Sequence, residues 1–389
     1  MPVNNRIAET QTEIAGWRQH LHARPEILYD VFETADFVAG KLRAFGCDEV
    51  ITGIGKTGIV ALVHGRGGAG GPMIGLRADM DALPIVEETG VEYASRTPGA
   101  MHACGHDGHM AMLLGATRSL CETRAFDGTV AVIFQPAEEG GAGGKAMLDD
   151  GLFQRFPIAK VYGMHNLPGM PVGQFGMRHG ATMASTDEFA ITIEGRGGHA
   201  ALPHRTIDPI LIGAALVQGL QAIAARNADP LKSMVVSVTQ FHAGFAHNII
   251  PDTAVVSGTV RALDKGLRDF AEQRIHEIAR GICAAHGATA AIAYDRNYPI
   301  TVNDSAEADF CADIAREIVG ADNVNADAEP MMAGEDFSYM LEEKPGAYVF
   351  IGNGNSASLH NPAYDFADTA IAFGASYWQR LAERALDRL

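Results

Sequence analysis

The sequence predicts an α/β protein in which a mostly parallel mixed sheet is flanked by helices and carries an inserted ferredoxin-like α+β domain. Three observations predict it. Short, nearly all-apolar runs alternate with helical patterns in the first half of the chain and return near its end, as expected of strands in a sheet covered on both faces. From about 187 to 298 the order changes to β-α-β-β-α-β, the split-βαβ pattern. The 389 residues, 47% apolar and 20% charged, also exceed what one core usually organises.

Taken in order, Ile7, Ile14, Trp17 and Leu21 fall at helical spacing, so the N-terminal stretch reads as an amphipathic helix rather than a signal peptide. Buried strands are expected at "GIVALVHG" from Gly58, "MIGLRAD" from Met73, "TVAVIFQ" from Thr129, "AKVYGMH" from Ala159 and "GAYVFIGNG" from Gly346, with a helix over about 107–121. The middle region supplies strand "DEFAITIEG", helix 207–226, strands "SMVVSVTQFHAG" and "DTAVVSGTVRAL", helix 265–285 and strand "TAAIAYD". These place a first catalytic-domain segment at 1–184, an inserted lid at 185–299 and the rest of the catalytic domain at 300–389.

A net charge of −17 argues against nucleic acid and anionic membrane surfaces as partners. The longest apolar run, Pro209 to Leu220, reads as too short to cross a bilayer. Five scattered cysteines without a C-x-x-C pair suit a reduced, cytoplasmic protein with buried thiols, Cys104 being set apart by its neighbours. Gly53, Gly55 and Gly58 match G-x-G-x-x-G, but a strand follows where a nucleotide loop needs a helix N-terminus. "EEGGAGGKAML" lacks the first glycine and the Ser/Thr of a phosphate loop. Both clusters read as turns.

Parallel sheets place ligands outside the carboxyl ends of their strands. Asp79 and Asp81 follow one strand, Glu138 and Glu139 another; His165 ends a third, and His360 follows a fourth. Cys104 and His106 stand at the start of the intervening helix. Thiolate, imidazole and carboxylate form a zinc-type donor set, and ligands spread from 104 to 360 suggest a catalytic centre rather than a structural finger. In the adjacent glutamates, one carboxylate can bind metal while the other serves as base. One ion would be crowded by five ligands, whereas two ions about 3.5–4 Å apart, bridged by Cys104 and a water, leave room for substrate. His20, His22, His64, His102 and His286 read as packing or surface histidines. His109 is expected to pack or hydrogen-bond, and Asp107 to orient an imidazole or cap the helix.

Nine stretches, including "LHARPE", "GLRADMDALPI", "MHACGHDGH", "FQPAEEGGAGGKAML", "MHNLPG", "GRGGHAALPH", "HNIIPDTAVVSGTVR", "MAGEDFSYM" and "LHNPAYDF", resemble in order and end to end the dimetal aminoacylase and carboxypeptidase superfamily. The resemblance is strongest to its N-acyl-amino-acid amidohydrolase branch of hippurate and indoleacetyl-amino-acid hydrolases. It implies two divalent ions held by Cys104, His106, Glu139, His165 and His360, with Cys104 bridging and Glu138 as general base. Asp79 stands where the wider superfamily has a histidine, and Cys104 takes the place of its bridging aspartate. Zinc, manganese, cobalt and nickel all suit so mixed a donor set. Asp81 would orient a ligand imidazole.

The resemblance further implies a lid that also mediates a homodimer or homotetramer. His199 would stabilise the oxyanion, in its own or the partner subunit, while Asn248 and Arg261 would hold the carboxylate of an N-acyl amino acid. The expected reaction is hydrolysis of that amide to a carboxylic acid and a free amino acid. The alternatives are a dipeptidase or carboxypeptidase on the same scaffold, and a non-catalytic metal-binding or peptide-binding protein.

Overall fold

The computed structural model describes residues 3–389, which divide into two compact units: 3–180 with 302–329 and 336–389, and 181–301 with 330–335. The sequence boundaries 185–299 leave out the short segment 330–335. It groups with the second unit because Ala184 N–H donates to the Met331 and Ala333 carbonyls at 3.0 and 2.9 Å.

In the first unit, helix α1 (Asn5–His22) starts where the Asn4 side chain accepts the Arg6 N–H, and α2 (Phe32–Phe45) stops at left-handed Gly46. Strands β1 (Glu49–Ile54) and β2 (Gly58–His64) form a hairpin; Gly53, where the register of β1 shifts, and Gly55 and Lys56, in the turn, have positive φ, and a Cβ at Gly58 would lie 2.4 Å from the Ile54 carbonyl oxygen. Then come β3 (Met73–Asp79), α3 (His106–Thr123), β4 (Thr129–Gln135) and β5 (Ile158–Leu167). "EEGGAGGKAML" is more than a turn, since a helix runs from Gly143 to Asp149 within it.

These strands lie in an eight-stranded mixed sheet. At its centre β4, β3, β5 and strand Gly346–Gly352 are successive parallel neighbours, flanked by antiparallel pairs. β3 and β4 are buried at every residue, which is why they read as unbroken apolar runs. α3 is buried along almost its whole length, against α1, α2 and helix Ile371–Leu386. The chain steps from β3 to β4 on one side and later to β5 on the other, so the order reverses at β3. A ligand crevice is expected at the carboxyl end of that reversal.

The second unit is a four-stranded sheet in the order Met234–Ala243, Thr253–Ala262, Ser185–Glu194, Thr289–Arg296, with every neighbouring pair antiparallel. With helices Pro209–Ala222 and Lys265–Ala285 this is the split-βαβ arrangement. Burial alternates along Ser185–Glu194 and Thr253–Ala262, so one sheet face carries the helices. The apolar helix continues through a wider turn to Asn227, reaching 19 residues, which is long and apolar enough by length and composition to cross a membrane. The 209–220 run gave the shorter estimate because it stops before Gln221, whereas the helix continues. Ile212, Leu216, Leu220 and Ile223 of this helix pack on Ile191, Val256 and Ile275, as a core helix does.

Candidate metal centre

The four central parallel strands of the first unit deliver their carboxyl ends to one edge, and the expected ligands meet there. Cys104 Sγ lies 3.4 Å from His165 Nε2, His106 Nε2 lies 3.9 Å from Glu139 Oε1, and His360 Nε2 lies 3.4 Å from the same oxygen. Three overlapping groups, Cys104–His106–His165, Cys104–Glu139–His360 and His106–Glu138–Glu139, each have donor atoms within 4.8 Å of one another. Cys104, His106 and Glu139 each belong to two of them.

Backbone carbonyls set the tautomers. His106 Nδ1 is 2.7 Å from the Asp81 carbonyl and His165 Nδ1 is 2.7 Å from the Asn166 carbonyl; a carbonyl only accepts, so each Nδ1 carries a proton, and in the neutral ring the lone pair is on Nε2. His106 Nε2 and Glu139 Oε1 are buried without a hydrogen-bond partner. An unpaired buried acceptor is costly, and a cation held by both atoms would satisfy them together. Burial, with Glu139 and Glu138 beside it, pushes the Cys104 thiol well above its usual range. Burial, with His109 beside it, holds His165 well below its own and hence neutral. A divalent cation reverses the penalty on the thiolate and uses the neutral imidazole directly, so the residues present fit a metal.

His109 is excluded from the set. Its Nδ1 donates to Asp79 Oδ1 at 2.6 Å and its Nε2 accepts the Asn166 N–H at 3.0 Å, leaving no ring nitrogen for an ion. Asp79 is in turn held by Arg77 at 2.7 Å. His360 has φ 60°, a left-handed conformation costing a non-glycine residue about 1–2 kcal/mol. Its N–H donates to the Ala103 carbonyl at 2.8 Å, which ties the His360 loop to the Cys104 segment. Gly105, at φ 87°, caps α3 where a Cβ would lie 2.3 Å from Asn166 Nδ2 and 2.4 Å from the Tyr364 hydroxyl.

Asp81 and Asp107 each orient an imidazole, the first at a candidate ligand and the second away from the ligands. The Asp81 carboxylate lies 3.8 Å from His106 Nδ1. It accepts the backbone N–H groups of Glu138 and Glu139 at 2.8 and 3.1 Å and so holds the two-glutamate turn, while the Asp81 backbone carbonyl orients His106. Asp107 does not cap α3, whose N-cap is Gly105; the imidazole it orients is that of His22, whose Nδ1 lies 2.8 Å from Asp107 Oδ2. Sequence reasoning missed Asn166, Gln135 and Asp336. Asn166 Nδ2 donates to the Cys104 carbonyl at 2.7 Å, and Asp336 accepts from Arg77 and Gln135 at 3.0 and 2.7 Å beneath the site. Their signal was their place inside "FQPAEEGG", "MHNLPG" and "MAGEDFSYM".

Within the second unit, His199 and Asn248 lie together on a two-stranded ribbon: His199 pairs with Ile249, and Ala200 N–H donates to the Asn248 carbonyl at 3.0 Å. Both are exposed. Arg261 is half-buried on strand Thr253–Ala262, where it donates to Thr259 Oγ1 and, at 3.0 Å, to the Val260 carbonyl, both neutral acceptors.

The model of peptidase family M20/M25/M40 matches residues 75–384, a span that includes every candidate ligand. The chain belongs to this family. Hippurate hydrolase of Campylobacter jejuni is 43% identical to it over 380 residues, covering 98% of each chain. N-acetyl-L-cysteine deacetylase of Bacillus subtilis is 40% identical over 387 residues, 99% of this chain and 91% of the relative. The crystal structure of the Bacillus subtilis YXEP protein, described as a dinuclear metal-binding peptidase from the M20 family, superposes with a TM-score of 0.86 at 34% identity, covering 98% of this chain and 100% of that one. The M20 chain described here thus presents its polar edge on a fold shared with a protein described as holding two metals.

Proposed function

We propose that this M20 protein hydrolyses the amide bond of N-acyl amino acids, releasing a carboxylic acid and a free amino acid. The observation that carries the reading is the meeting of the Cys104 thiol, the free Nε2 atoms of His106 and His165, and Glu139, with Glu138 adjacent to it. Two of its relatives are named for such amide cleavages, a hippurate hydrolase and an N-acetyl-L-cysteine deacetylase.

In this reading Cys104, His106, Glu139, His165 and His360 would hold two divalent ions, whether zinc, manganese, cobalt or nickel. Bound, such ions lower the pKa of water and polarise a carbonyl oxygen. Glu138 takes the proton of the attacking water and later delivers it to the leaving amine, which departs neutral. The Asp81 carboxylate fixes the turn from which Glu138 acts. Arg261 binds the substrate carboxylate with Asn248, and its planar fork is suited to two oxygens. His199 donates to the carbonyl oxygen as negative charge develops there, so this contact lowers the barrier rather than only tightening binding.

The protein acts as a homo-oligomer through its second unit, whose outermost strand Met234–Ala243 is followed by Phe245, 81% exposed. It works in the cytoplasm, in keeping with its five free cysteines. The test is a panel of hippurate, N-acetyl amino acids and dipeptides, assayed on metal-stripped protein reloaded with each metal in turn. Metal-restored cleavage of the acyl amino acids is expected; a strong preference for dipeptides, or inertness across the panel, overturns the reading.

A further inference from the structure

We propose that Arg18, far from the candidate ligands in sequence, is the positioning residue that fixes the two ligand-bearing segments of the centre against each other. Arg18 lies on α1, and its side chain is fully buried. Its guanidinium reaches carboxylates from both segments. Nη1 is 3.4 Å from Asp107 Oδ2, in the first turn of α3 immediately after His106. The same nitrogen donates to Asp365 Oδ1 at 2.9 Å, and Nε donates to Asp368 Oδ1 at 2.8 Å. Asp365 and Asp368 lie in the stretch that follows His360.

Of the three remaining carboxylate oxygens two are engaged, while Asp107 Oδ1 is buried without a hydrogen-bond partner among the described residues. Asp365 Oδ2 accepts the Tyr93 hydroxyl at 2.7 Å, Asp368 Oδ2 accepts Gln19 at 2.8 Å, and Asp107 Oδ2 shares its bond with His22. The Tyr93 ring lies 4.4 Å from the guanidinium carbon, leaving the fork little freedom to turn. None of these side chains belongs to the candidate ligand set. Without the cation, Asp365 and Asp368 would lose their charge partner, and Asp107 would be left with His22 alone, which reaches neither of them. The contact between the His360 N–H and the Ala103 carbonyl would then be left to hold the spacing. A planar fork with donors in fixed directions can join two segments where an ammonium serves as a point charge.

The inference rests on the metal reading of the centre, and its test separates the two. Zn2+ affinity is measured on the folded full-length chain by competition with a chelating dye, together with the thermal midpoint, for wild type, Arg18→Met, Arg18→Lys and a control, Glu307→Gln. Glu307 is buried and accepts Lys160 and Tyr162 at 2.7 and 2.6 Å, in another part of the same unit. Loss of a residue that holds ligands from behind is expected to weaken Zn2+ binding roughly 10–100-fold in Arg18→Met, with partial recovery in Arg18→Lys. Glu307→Gln lowers the thermal midpoint without changing the affinity. Wild-type affinity in Arg18→Met, or an equal loss in Glu307→Gln, overturns the positioning role while leaving the metal reading intact. A wild type that binds no Zn2+ removes both. Should Arg18→Met fail to fold, Asp365→Asn carries the same expectation, because its side chain is 31% exposed and loses a single contact to Arg18.

Discussion

The polar residues of the two units are prepared very differently. At the strand-end edge of the first unit His106 and His165 are buried, each with its tautomer set by a backbone carbonyl, and Asp81, Asn166 and Arg77 are hydrogen-bonded behind them. In the second unit His199 and Asn248 are exposed, and the His199 ring accepts the Ala201 N–H at 3.1 Å. Donor atoms held by their own unit can bind an ion without reorganisation, which suits a permanent metal centre. Exposed side chains on a narrow ribbon suit groups that act only when substrate arrives.

The contrast can be broken by substitution. The largest effect is expected from Glu138→Gln, which removes the base and leaves the ligands: kcat falls about 10²–10⁴-fold while metal content stays at the wild-type level. Metal analysis beside steady-state kinetics decides it, and substantial turnover refutes the role. Next is the electrostatic support inside the first unit. Burial alone would lower His22, but the Asp107 carboxylate and the hydrogen bond to Glu87 lift it to about 9 from an ordinary 6.5. Its folded pKa is raised, so the stabilisation is complete below pH 6.5 and is lost as pH rises through 9, on the order of 3 kcal/mol. Urea unfolding of wild type and His22→Gln across that window should show a slope present only in the wild type.

Cys104→Ala follows, with Zn2+ affinity reduced about 100-fold, at the upper end of what even supporting residues contribute. Full metal occupancy in this variant would remove the bridging assignment. The smallest change is expected in the second unit. Arg261→Lys keeps the charge and loses the fork, so KM for an acyl amino acid rises about tenfold with metal content unchanged. An altered metal content there would erase the distinction between the two regions.

Much of the first unit was legible because parallel strands are buried on both faces and write themselves as apolar runs. Their carboxyl ends must share an edge, which made Glu138, Glu139, His165 and His360 candidates before any contact was known. Asp81 and Asp107 were legible as acidic residues near the site but not by partner. Which oxygen accepts from which donor depends on pairings such as Asp81 with Glu138, 57 residues apart. His109 is expected from the sequence to pack or hydrogen-bond rather than bind metal, and the engagement of both its nitrogens shows by which partners it does so.

The sequence by itself determined the alternation of strands and helices, the ferredoxin-like order of the middle region and the donor types gathered at the strand ends. Periodicity and residue chemistry are local properties and can be read along the chain. Only the tertiary structure decided which lone pairs remain available and what holds them in place. Arg18 shows the reason: on α1 it reads as one more polar residue of an amphipathic helix, yet it is buried among carboxylates 89, 347 and 350 positions away. Long-range burial leaves no periodic trace, because the partners of a charge are chosen by the packing of whole elements.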